Sequence, residues 1–318
     1  MQIIITGGGG FLGQRLAKVL LASDLAFDEL LLVDIVMPGL PSQDIRLRCR
    51  QADLAEPGAA ESLVTPQTGL IFHLAAIVSS HAEADFDLGY RVNVDITKSL
   101  LDVCRHTGRS IRFVFASSLA VDGGTLRADV GDGTVVTPRS SCGTQKAMGE
   151  LLVNDYSRKG FVEGLVLRLP TVCVRPGKPN RAASSFVSSI IREPLQGQMT
   201  ICPVSADLSL WLSSPDTVVQ NLLHAATLEF GTVGDWRTVN LPGIGVTVQQ
   251  MLDALLRHSN PQTLTRIRFE RDEAIQRIVS SWPGRMDNSR ALALGFRADE
   301  NFDDFIEQFT ANDMQQTR

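Results

Sequence analysis

The chain has 318 residues, 44% hydrophobic and 20% charged, with a formal net charge of −5. That length allows a full packed core and suits one main domain with a smaller partner region. A mildly acidic balance without a Lys/Arg block gives no electrostatic case for nucleic acid or an anionic membrane, and no apolar run approaches the roughly 18 residues a membrane helix needs.

The first element is the most informative. Ile3-Ile4-Ile5 reads as a strand buried on both faces. Four glycines follow, and apolar residues then recur at helical spacing at Phe11, Leu12, Leu16, Val19 and Leu20. Strand, glycine turn and helix in that order form a dinucleotide-binding corner. Gly7 permits the tight turn, Gly10 lets backbone approach a pyrophosphate, and Gly13 lets helix and strand pack closely, with Phe11 and Leu12 at the helix start. The pyrophosphate would sit on the unpaired N–H groups at the positive end of the helix dipole. A second strand over residues 29–33 ends in Asp34, 21 residues past Gly13. A carboxylate there accepts from ribose hydroxyls and repels a 2′-phosphate, so NAD is expected rather than NADP.

A Pro/Gly loop leads to a third strand over residues 45–51, then to Asp53 and Leu54, which suit either adenine contact or a helix cap. The fourth strand, residues 69–75, carries His73 and Leu74 and ends in Ala75-Ala76, small enough for a dinucleotide crevice. Ser79, Ser80 and His81 fall in an expected active-site loop. A long amphipathic helix is expected over residues 84–105, containing Tyr90 and Asn93, and a fifth strand over 111–115 delivers Ser117-Ser118. A helix over 141–158 and a sixth strand over 164–169 complete a series of βα units. The fold class is therefore α/β: a doubly wound parallel sheet with right-handed crossovers, over residues 1–170. From residue 171 the pattern becomes mixed and reads as a smaller α+β substrate-binding lid to residue 318, with some return to the first domain.

Five cysteines without CxxC spacing and five histidines without HxxxH or HExxH indicate neither a disulfide framework nor a metal site. The chain opens directly on a strand, so a cytoplasmic setting without a signal peptide is expected.

The motifs Thr6-Gly7-x-x-Gly10-x-x-Gly13, Asp34, Asp53-Leu54, His73-Leu74-Ala75-Ala76, Asn93-Val94, Ser117-Ser118 and Arg168-Leu169-Pro170-Thr171-Val172 together resemble the extended short-chain dehydrogenase/reductase family over nearly the whole chain. Residues 84–93, 146–152 and 173–180 are similar to its members that oxidise the 2-hydroxyl of a small sugar acid, D-erythronate, with NAD. The resemblance implies a Ser, a Tyr and a Lys four residues after the Tyr. It maps Ser118 and Lys146 onto the Ser and Lys, and adds Asn93, Leu169 and Val172 to the cofactor contacts. The position four before Lys146 is Cys142, and neither tyrosine, Tyr90 or Tyr156, is followed by a Lys at the fourth position.

Cys142 thus stays open between a weakened or water-assisted base, an inert residue in a catalytically weak NAD-binding sensor, and a nucleophile. Lys146 and a cationic nicotinamide are expected to lower its pKa. Asp122 and Ser209 also depart from the family pattern, where an aromatic and an anion-gripping Arg are common. Arg175, Lys178 and Asn180 suit either a carboxylate site or a solvated turn. Thr171 is expected to face substrate, with Ser79 and Ser80 opposite. A nucleotide-sugar epimerase or dehydratase is the alternative enzyme, and the resemblance implies a homodimer through helices 84–105 and 141–158.

Overall fold

The computed structural model describes residues 1–124, 130–179 and 182–314. In chain order β1 is Gln2–Thr6, α1 Phe11–Ala22, β2 Glu29–Asp34, β3 Leu47–Gln51 and β4 Thr68–His73. Then come α2 Ser79–Ala84, α3 Phe86–Tyr90, a π-helical turn Arg91–Asp95 and α4 Ile96–His106. β5 Ile111–Ser118, α5 Ser141–Arg158 and β6 Val162–Leu169 close the first region. The remainder holds β7 Thr171–Val172, α6 Ser185–Leu195, β8 Thr200–Cys202, β9 Ser209–Ser213, α7 Pro215–Thr227, β10 Thr238–Asn240 and β11 Ile244–Thr247. It ends with α8 Val248–Arg257, α9 Pro261–Leu264, β12 Ile267–Phe269, α10 Glu273–Val279, α11 Ser289–Ala293 and α12 Asp303–Asn312.

Seven strands form one parallel sheet in the order β10-β6-β5-β4-β1-β2-β3, the doubly wound arrangement that the alternating pattern predicts. Its two faces carry separate apolar layers. One joins Ile3, Ile5, Leu32 and Phe72 to α1 and α7, and the other joins Ile4, Val33, Ile71 and Phe113 to α4 and α5. The return of the chain after residue 171 is substantial. α7 packs beside α1, and β10 extends the parallel sheet along β6. What remains is a smaller layer in which β9 pairs with β7 and β11, over an apolar cluster built on α6, α8 and α12.

Several boundaries differ from the periodicity. The expected helix over 84–105 starts at Phe86, because the Asp85 carboxylate accepts from Leu88 N and caps it there. Within it the π-turn turns Asn93 inward, where its amide bonds Ile77 and Gln145. Residues 244–247 pair with β9, and α8 follows them from a Thr247/Gln250 capping box. The C-terminal region beyond α8 contains α9, β12, α10, α11 and α12.

α5, β5 and β6 are joined by a buried ionic cluster. Arg168, 2% exposed, makes a two-bond fork to Glu150 at 2.9 and 2.8 Å, and Ser117 Oγ donates to the same carboxylate at 2.5 Å. Asp122, also buried, lies 3.7 Å from Arg168 with no hydrogen-bond partner on either oxygen among the described residues. Burial raises its pKa to about 6, with Arg168 opposing the shift.

Two outcomes follow for urea unfolding. Glu150→Ala, which strands the Arg168 charge, should lose about 3–5 kcal/mol, while Glu150→Leu combined with Arg168→Met should recover most of it. Asp122 has a folded-state pKa raised above its unfolded value, so its ionisation opposes folding as pH rises from about 4 through about 6. Asp122→Asn should therefore be more stable than the parent at pH 8, with the advantage gone at pH 4.

Candidate functional site

Gly7 adopts φ 71°, a conformation open to glycine, and a Cβ on it would lie 2.8 Å from Ala75 N. A Cβ on Gly13 would lie 2.5 Å from the Gly7 carbonyl. The glycines thus bring α1 down onto the first turn, and no side chain caps the helix N-terminus at Gly10. Its unpaired N–H groups and dipole can hold a pyrophosphate. Asp34 is fixed beside this corner by Gly9 N at 3.0 Å and Ile35 N at 2.8 Å, leaving lone pairs for ribose hydroxyls. Glycines whose replacement would fill the turn, an uncapped helix and a carboxylate at the second strand together fit a dinucleotide.

A cleft of about 380 Å³ runs from this corner to the carboxyl ends of β5 and β6. Gly7, Gly10, Phe11, Leu12 and Gly13 line one end, with Leu74 and Ala76 beneath. Ser118, Cys142, Lys146, Leu169, Thr171 and Val172 line the centre. Ser79 and Arg175 also belong to the lining.

Other expected site residues lie outside this lining. Ala75 abuts Gly7 and donates its N–H to Thr6 Oγ1. Asp53 caps a turn through Ala55 N, and Leu54 packs into the sheet core, so the cap is the role of this pair that the geometry carries. Asn93 spends its amide on Ile77 and Gln145, so it does not reach the cleft and instead fixes Ile77, which lines it. Ser80 sits in α2 away from the lining, as does His81. Asn180 lies outside the described residues, and Lys178 is exposed.

Lys146 is buried and donates to the Ala116 carbonyl at 2.7 Å, its amine 4.6 Å above the Phe115 ring. Burial lowers its pKa to about 8. Ser118 Oγ accepts from Ala120 N at 3.1 Å, which leaves its O–H free to donate into the cleft. Cys142, in the first turn of α5, sits 3.9 Å from the Ile77 carbonyl. Its pKa is raised, against the expected lowering, because desolvation outweighs the pull of Lys146. His73 is a neutral core ring between Thr6 and Thr97, its pKa held down to about 3 by burial.

Arg175 is the third ionisable side chain of the lining. Its Nε is buried without a hydrogen-bond partner among the described residues. Burial, then Arg192, lowers its pKa, though a guanidinium keeps its charge. Ser209, read as the site of a missing Arg, donates to the Gly284 carbonyl at 3.3 Å. Sequence reading missed Trp282, which lines the same cleft from the distant C-terminal region. Its signal, an aromatic in an irregular tail, has no period or spacing to expose it.

Among the described residues no group of three or more His, Cys, Asp or Glu is placed to hold a metal, and no helix is long and apolar enough to cross a membrane.

Comparison with known proteins matches these features. The chain is 56% identical to D-erythronate dehydrogenase of Haemophilus influenzae over 99% of this chain and 100% of that protein. It is 48% identical to D-erythronate dehydrogenase of Cupriavidus necator, over 97% and 98%. A crystal structure of a nucleoside-diphosphate-sugar epimerase from Agrobacterium tumefaciens superposes with a TM-score of 0.94 at 40% identity, covering 99% of this chain and 95% of that one. Residues 3–224 match the NAD dependent epimerase/dehydratase family. With the glycine corner and the doubly wound sheet already in place, the chain belongs to that family and uses NAD.

Proposed function

We propose that this protein is an NAD-dependent dehydrogenase that oxidises the 2-hydroxyl of a small sugar acid, D-erythronate. The observation that carries the reading is Arg175, a half-buried cation of the cleft lining whose Nε is buried without a partner among the described residues, on a chain that is 56% identical to a D-erythronate dehydrogenase. A guanidinium matches a carboxylate bidentately, and Arg175 is the one arginine of the cleft lining among the described residues.

The glycine corner, Asp34, Leu74 and Ala76 would hold the cofactor, which when bound supplies the hydride acceptor. Leu169 and Val172 would border its nicotinamide end. Ser118, its oxygen occupied by Ala120 N, donates its proton to the substrate hydroxyl and orients it. Lys146 has one N–H on Ala116 O, so the others are free for the ribose. Thr171 and Ser79 flank the acid, although the Ser79 oxygen already accepts from Ala183 N.

Cys142 takes the place of the base, and a thiol is the wrong length and the wrong acidity for fast work there. Proton transfer requires hydrogen-bond reach before pKa matters, and burial keeps this thiol protonated near neutrality. The expected enzyme is slow at pH 7 and faster in alkali. A homodimer through α3 and α5 fits the exposed apolar side chains Phe86, Met148 and Leu151 on those helices. A cytoplasmic setting suits five cysteines, none of them in a disulfide.

Formation of NADH with D-erythronate tests the reaction, and its absence in both the parent and Cys142→Tyr would overturn the reading. With Cys142 as base, kcat/KM should climb with pH through 9. Cys142→Tyr should raise kcat at pH 7 by about 10²–10⁴, the usual contribution of a well-placed general base, and Cys142→Ser should lose the alkaline limb. A Cys142→Ser enzyme that keeps full activity and levels off near pH 8 would assign the proton to Lys146 instead. Arg175→Met should raise KM for the acid about 10–100-fold, the loss of a hydrogen-bonded charge, with KM for NAD unchanged.

A further inference from the structure

We propose that Trp282 is a fixed end wall that limits substrate length, so that the cleft accepts an acid of about four carbons and turns away longer ones; this rests on the sugar-acid reading above. Trp282 reaches the cleft from the segment between α10 and α11, and packs in one cluster with Leu119, Trp211 and Met286. Leu119 directly follows Ser118, and Trp282 and Ser118 line the same cleft.

The wall is held from several sides. Trp282 N donates to the Val279 carbonyl at 3.3 Å, where Val279 ends α10 in the core. Beyond it, Ser209 Oγ holds the Gly284 carbonyl from β9. A Cβ on Gly284 would lie 2.7 Å from that same Ser209 oxygen, and a Cβ on Gly245 would lie 2.8 Å from the Gly284 carbonyl. Met286 is buried, and Asp287 N donates to the Val130 carbonyl at 2.9 Å. A segment clamped this closely to β9 and β11 presents a surface that does not swing aside for a longer chain.

Chemistry and space agree with that role. An indole face offers contact area and one weak donor, with no charge to pair an additional anionic group. The cleft of about 380 Å³, which Ser118, Arg175 and Trp282 all line, must also take the nicotinamide end of the cofactor, so little of it is left for substrate. Each added CH(OH) unit would have to displace the indole or move the carboxylate off Arg175.

The experiment is a kcat/KM series with NAD and sugar acids of four, five and six carbons, run on the parent, Trp282→Ala and Trp282→Phe, with a thermal melt of each. The parent should fall about tenfold per added carbon, the scale on which a pocket discriminates one group. Trp282→Ala should raise the six-carbon to four-carbon ratio at least tenfold at unchanged KM for NAD, and Trp282→Phe should relax it less. A parent indifferent to length, or an equal loss across the series in Trp282→Ala, overturns the wall while leaving the dehydrogenase standing. Should the alanine variant fail to fold, an unaltered length profile in Trp282→Phe overturns it. No turnover of any acid by the parent or by Cys142→Tyr overturns the underlying reading instead.

Discussion

The buried pair of Glu150 and Arg168 is the constraint on which the centre of this molecule depends. Glu150 lies one helical turn after Lys146 on α5, and Arg168 lies one residue before Leu169 on β6. Ser117, bonded to the same carboxylate, precedes Ser118 on β5. Three elements that each contribute to the cleft lining are therefore tied together at a single charge-assisted knot. Such a pair contributes less net stability than its short distances suggest, because both ions are desolvated. Its effect is on register: a shift of α5 along the sheet would strand a guanidinium in the core.

How much of this was legible in the sequence depended on how local the cause was. The glycine corner was readable because turn, helix start and close approach are all decided within residues 3–13, by backbone geometry that glycine alone permits. The parallel sheet followed from the alternation of strands and helices. Asn93 was placed in the helical segment, while the direction of its amide was not legible, since a π-turn and a neighbour 52 positions later, Gln145, decide where it goes. Trp282 left no trace, because only the packing of the C-terminal region brings it to the cleft lining.

The acidity of Cys142 shows the same division. Lys146 one turn along the helix predicts a lowered thiol pKa, and Lys146 does pull in that direction. Burial pulls harder, and burial is a property of the assembled fold. Reading charge neighbours from sequence gave the sign of one contribution and missed the larger one. Arg175 was legible as a residue type and ambiguous as a site until the structure put its side chain inside the cleft.

The shielding of the thiols extends beyond Cys142. Cys49, Cys104, Cys142, Cys173 and Cys202 all have pKa values raised by burial, Cys104 and Cys173 to about 12. Alkylating agents, peroxides and disulfides attack the thiolate, and at neutral pH this chain presents very little of it. The desolvation that makes Cys142 a sluggish acceptor of protons also makes it durable. A sulfur beside a redox cofactor can persist there without being consumed by the electrophiles and oxidants around it.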